Sequence, residues 1–112
     1  MFDYIFDAIG ALFDGIGELI AWVINGVLSF ADYVVDYFKG LILRKGRDVP
    51  FIADEHKIAD LIHQAPVKDV GIFEATYNED TNEIENYRAL EADEMDPQLK
   101  SVLGNEKLVV LS

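Results

Sequence analysis

The chain has 112 residues, of which 51% are hydrophobic and 12% aromatic, with 21 acidic side chains against 9 basic ones and no cysteine. This length supports one modest core. A net charge of −12 argues against nucleic acid, which requires a basic face, and the absence of cysteine excludes disulfides, thiolate metal centres and a cysteine nucleophile.

Charge and hydropathy are segregated along the chain. Residues 1–38 carry six acids and no base, with 26 apolar positions. Residues 39–47 carry four bases and no acid, and residues 48–112 hold fifteen acids against five bases. The expected organisation is a hydrophobic transmembrane or assembly helix over 1–39, a basic connector over 40–53 and a small acidic α+β domain over 54–112. Asp3 and Asp7 stand where a secretory signal carries its basic opening, so such a signal is not expected.

On a helix over residues 2–38, Asp3, Asp7, Asp14, Glu18, Asn25, Ser29, Asp32 and Asp36 fall in one sector roughly 80° wide. Asp3, Asp14, Asn25 and Asp36 recur every eleven residues, as do Asp7, Glu18 and Ser29. That spacing is about 3.67 residues per turn, which keeps a stripe nearly straight. Such a helix is about 55 Å long. Its apolar circumference exceeds what the remaining chain can cover, so lipid or further copies of itself must bury it. Gly10, Gly15, Gly17 and Gly26 flank the stripe and predict close helix–helix packing. A window from Ile16 to Val35 keeps Glu18 and Asp32 near its ends, as a bilayer span requires. Lys39, Arg44, Lys45 and Arg47 follow directly; as a membrane-interface anchor they would place the C-terminal domain in the cytoplasm.

Beyond the connector, Asp54 reads as the N-cap of a helix through Ala65, which Pro66 ends. Val67–Tyr77 and Glu83–Ala92 read as strands around the turn-forming NEDTN segment at 78–82. A second short helix is expected over 96–103, with Asp96 as N-cap and Pro97 at its first position, then a strand over Lys107–Leu111. The expected fold is α+β: a long N-terminal hydrophobic helix followed by a domain of about two short helices and an antiparallel sheet of about three strands.

Little in this chain marks chemistry. His56, Asp60 and His63 share one face of the expected helix, making a weak metal candidate with no fourth ligand to name; a solvated face explains them as well. Asn78, Asp80 and Asn82 alternate as a calcium loop begins, but the glycine and terminal glutamate of such a loop are missing. Glu91, Asp93, Glu94 and Asp96 cluster before a helix start, which suits its dipole and offers a surface to a basic protein partner. No nucleophile elbow, phosphate loop or dinucleotide fingerprint is present, so no enzyme and no cofactor are expected.

The function expected is that of a non-enzymatic membrane protein that homo-oligomerises through its N-terminal helix. Its acidic stripe would form a cation-favouring pore or a polar seam, or the helix would anchor a scaffold. The alternative is a soluble cytoplasmic structural subunit of a filament, ring or virion with a helical core. Partners are thus copies of itself, a lipid bilayer and a basic protein, with no nucleic acid.

Overall fold

A computed structural model describes residues 2–111. The first 39 residues do not form one helix. Helix α1 spans Asp3–Ile16 and presents Ile5, Ala8, Ile9 and Phe13 to the core, leaving Asp3, Asp7 and Asp14 outside. It stops at Gly17, whose φ of +83° suits glycine and whose N–H donates to the Phe13 carbonyl at 2.8 Å. Strand β1 then runs Trp22–Leu28. A five-residue π-helical turn, Ala31–Val35, leads directly into helix α2, Asp36–Lys39.

The remaining elements are strand β2 (Asp48–Asp54), a single helical turn α3 (Ala59–Ile62), strands β3 (Val70–Asn78) and β4 (Glu83–Met95), helix α4 (Pro97–Leu103) and strand β5 (Leu108–Val110). Asp96 caps α4, its side chain accepting from the Leu99 N–H at 2.8 Å. The sheet has five strands in the order β1-β4-β3-β2-β5. β1 lies parallel to β4, and every other pairing is antiparallel. The expected three-stranded antiparallel sheet is therefore a five-stranded mixed one. The segment expected as connector ends in β2, a central strand. Pro50 is tolerated there opposite Thr76.

Helical segments cover both faces of this sheet. On the first face α1 and α3 pack over Phe51, Ala53, Phe73, Ala75 and Tyr77. On the second, the π-turn and α4 pack over Ile52, Ile72, Leu90 and Ala92, joined by Leu28 of β1. The radius of gyration is 13.1 Å, close to the about 13 Å of a single 100-residue domain.

The long-helix reading failed for a physical reason. An eleven-residue repeat cannot distinguish one continuous helix from two amphipathic helices interrupted by a strand. Trp22, Val23, Ile24 and Val27 are aromatic or β-branched and favour extended backbone. Gly17 and Gly26 have φ of +83° and +109°, outside helical values. The acids face outward because each short element separately buries its apolar side.

Candidate functional site

β1 is an edge strand, and it carries no charged side chain. Leu19–Ala31 is a run of thirteen uncharged residues in a chain of net charge −12. Ile20, Trp22, Val23 and Val27 expose 82, 63, 55 and 44% of their surface. The register against β4 is regular at Trp22, Val23 and Ile24 and shifts before Val27. At that bulge the Gly26 N–H turns to the Asp93 carboxylate at 3.2 Å. The opposite edge, β5, is only three residues long.

Trp22 is held from behind. The Arg88 guanidinium lies 5.4 Å from the Trp22 ring centroid and 4.0 Å from that of Tyr37. Its Nη2 donates to the Tyr33 carbonyl at 2.8 Å, and its Nε donates to Glu74 Oε1. Glu74 stands opposite Arg88 across the β3–β4 pair and is fully buried, with Oε2 lacking a partner. Burial raises the Glu74 carboxyl to about 7, against the pull of Arg88. Desolvation also raises the Tyr37 phenol, which donates to the Asn86 carbonyl. Asn86, at φ +51°, sits where the β3–β4 register slips between Glu74 and Thr76, and its Nδ2 donates to Thr76 Oγ1 at 3.1 Å. The bulge thereby ties the π-turn and α2 to the centre of the sheet and fixes the Trp22 platform.

A second buried acid lies on the other face. Glu55 is 1% exposed and its Oε1 has no hydrogen-bond partner. It packs beside Gly71 and Glu91, so tightly that a Cβ on Gly71 would stand 3.0 Å from that oxygen. Glu91 Oε1 accepts from the Val67 and Lys68 N–H groups at 2.8 and 3.0 Å. Burial first, then the charges of Glu91 and Asp54, push the Glu55 carboxyl up to about 8. Glu55 and Glu74 are not singled out by the sequence, whereas Glu91, read there as part of an acidic surface cluster, is only 5% exposed. The available signal was Glu74 between Phe73 and Ala75 in a strand that lies inside the sheet.

The expected polar seam does not run along one helix. Asp3, Asp7 and Asp14 lie on the outer side of α1 and Glu18 follows it; Asn25 is on β1; Ser29 precedes the π-turn; Asp32 and Asp36 lie on the turn and α2. Ser29 Oγ accepts from the Asp32 N–H at 3.3 Å. Of the expected packing glycines, Gly10 is at a close approach: a Cβ there would meet Leu61 of α3 at 3.3 Å. Gly15 faces open space, while Gly17 and Gly26 serve a helix stop and a bulge.

Lys39 ends α2, and Arg44, Lys45 and Arg47 occupy the loop before β2. Arg47 pairs with Asp48 at 2.9 Å; hydrogen bonds from Arg47 and from the Arg44 N–H hold the Asp48 carboxyl below its usual range. His56 and His63 fall outside the four-residue α3, with His63 at φ +56° and His56 Nε2 3.0 Å from the Lys68 carbonyl. Among the described residues no set of three such side chains gathers as a metal site.

Among the described residues no helix is long and apolar enough to cross a membrane. This overturns the transmembrane-helix reading, together with the pore and the helix-driven oligomer built on it. No family profile, no curated protein and no solved structure matches the chain.

Proposed function

We propose that the chain is a soluble, non-catalytic assembly subunit whose contact with a second copy is the β1 edge rather than a helical core. The carrying observation is the exposed, uncharged edge strand centred on Trp22–Ile24. An open edge presents unpaired backbone donors and acceptors, and proteins usually blunt it with charge or proline. Neither occurs between Leu19 and Ala31. The bulge near Gly26 limits regular pairing to the first part of the strand.

Two copies meeting about a two-fold axis would bring β1 against β1 and continue the sheet across the interface. Trp22, backed by Arg88 and Tyr37, supplies a pre-positioned aromatic anchor of the kind that dominates interface energy. The choice of a like partner follows from charge. In a chain of net charge −12, an edge strand without charged side chains lets two copies approach with less repulsion than an acidic face would.

Sedimentation velocity over a wide concentration range tests this reading. The native chain should form dimers more readily as salt rises, because salt screens the repulsion between two acidic bodies. Val23→Lys should hold it monomeric without loss of fold, since Val23 is 55% exposed. A native chain that stays monomeric at every concentration and salt level would sink the proposal.

A further inference from the structure

We infer that the groove between α2 and α4 binds a single-chain anionic amphiphile, a medium-chain carboxylate being the simplest case. The groove is open to solvent and has a volume of about 610 Å³ on the second face of the sheet. That lies within the about 300–1,000 Å³ of small-molecule pockets. Its walls come from Val34 and Phe38 on the helical side, Val102 of α4, Pro50 of β2 and Val110 of β5.

Charge selects the ligand. Every side chain lining the groove is apolar except Lys39, although acids outnumber bases 21 to 9 in the chain. Asp32 and Asp36, on the same helical segment, are exposed and do not line the groove. Among the described residues Lys39, Arg44 and Lys45 form no ion pair, whereas Arg47 is held by Asp48. The groove therefore offers an apolar channel with one available ammonium in its wall and further cations on the adjoining loop. An alkyl chain fills the first and a carboxylate head meets the second.

The other large depression, about 720 Å³ beside β5 on the first face, lacks this selectivity, because Glu106 lines it together with Lys107. The groove lies toward the β5 side of the sheet, away from the β1 edge, so the inference stands whether or not the chain dimerises.

The test is displacement of dansyl-labelled undecanoic acid from the full chain by dodecanoate, kept below its micelle concentration, with dodecanol as the uncharged comparison. The expected result is saturable one-to-one binding in which dodecanoate competes more strongly than dodecanol. Lys39→Glu should weaken dodecanoate by about tenfold and leave dodecanol nearly unchanged, since it replaces an attractive charge by a repulsive one for the carboxylate head alone. Val35→Asp, at a half-exposed position in the groove wall, should weaken both ligands. Absence of saturable binding, equal competition by the acid and the alcohol, or an unaffected Lys39→Glu variant each overturns the inference. So does binding to anionic vesicles without binding to monomeric dodecanoate, or a dimer that Val35→Asp dissociates, because the occupant would then be a bilayer or a second copy.

Discussion

Glu74 and Glu55 are both buried beside the central strand β3, on opposite faces of the sheet, and they meet the cost of burial in different ways. Glu74 faces a cation: Arg88 lies opposite it on the neighbouring strand and donates to Oε1. Glu55 faces another acid, Glu91, whose Oε1 already accepts from the Val67 and Lys68 N–H groups. Both carboxyls are raised by desolvation, to about 7 and about 8 respectively, and the lower value belongs to the one with the cation. A paired buried charge organises its surroundings, here the Trp22 platform. An unpaired buried carboxyl stays neutral by holding its proton, which makes the fold sensitive to pH.

The largest expected effect comes from breaking the pair. Arg88→Met should remove about 3 kcal/mol at neutral pH, because it leaves Glu74 buried without its partner. It also frees the Trp22 and Tyr37 rings that the guanidinium contacts. The loss should shrink in acid, where Glu74 takes up a proton. Urea denaturation at two pH values checks this, and a loss independent of pH would mean that packing, rather than charge, sets the role of Arg88.

Glu55 sharpens the contrast with a gain of stability. Its native value of about 8 lies above the ordinary 4.5, so the folded chain keeps a proton that the unfolded chain releases. The native state binds more protons within that window, and stability must therefore fall as pH rises from about 4.5 toward 8. Glu74 adds a slope of the same sign between 4.5 and about 7. Glu55→Gln should raise stability by about 2 kcal/mol at the alkaline end of the window and change it little at the acid end. Thermal melts across the range read this directly; an unchanged slope in the variant would assign the pH dependence elsewhere.

How much of this could be read in the sequence depends on the range of the interactions. Some local signals read correctly: the Asp96-Pro97 start of α4, the turn at 78–82 and the strands around it are set by capping, proline geometry and turn chemistry. Asp54, however, ends β2 instead of capping a helix, and only Ala59–Ile62 of the expected 54–65 helix forms. The failure lay where a local pattern was extended too far. The spacing of Asp3, Asp14, Asn25 and Asp36 is consistent with one helix, yet the β-branched run at 22–27 pairs with β4, more than sixty residues later in sequence. That pairing is a tertiary choice and overrides helical periodicity. The environments of Glu55 and Glu74 are equally non-local. Nothing near Glu74 in sequence announces Arg88, and nothing near Glu55 announces Glu91. Both pairs exist only because the sheet has its particular register. The exposed edge strand lies inside the Ile16–Val35 window, whose apolar character fits a bilayer span as well as a strand.

The smallest expected effect tests how closely Glu55 is packed, and glycine is the probe. Gly71 lies opposite Glu91 on β4, and a Cβ there would stand 3.0 Å from Glu55 Oε1 and 3.3 Å from Glu91 Cγ. Glu91 is pinned by two backbone N–H groups and Glu55 is enclosed, so neither carboxylate yields freely. Gly71→Ala should therefore cost about 1 kcal/mol through overpacking, despite the usual benefit of replacing a strand glycine. Gly15→Ala is the internal control: it sits within α1 with nothing within 4 Å, so alanine there should stabilise by about 0.5 kcal/mol. In a Glu55→Ala background the crowding oxygen is gone, and most of the Gly71→Ala penalty should go with it, leaving a coupling between the two positions. If the penalty persists undiminished, the contact that matters is with Glu91 alone.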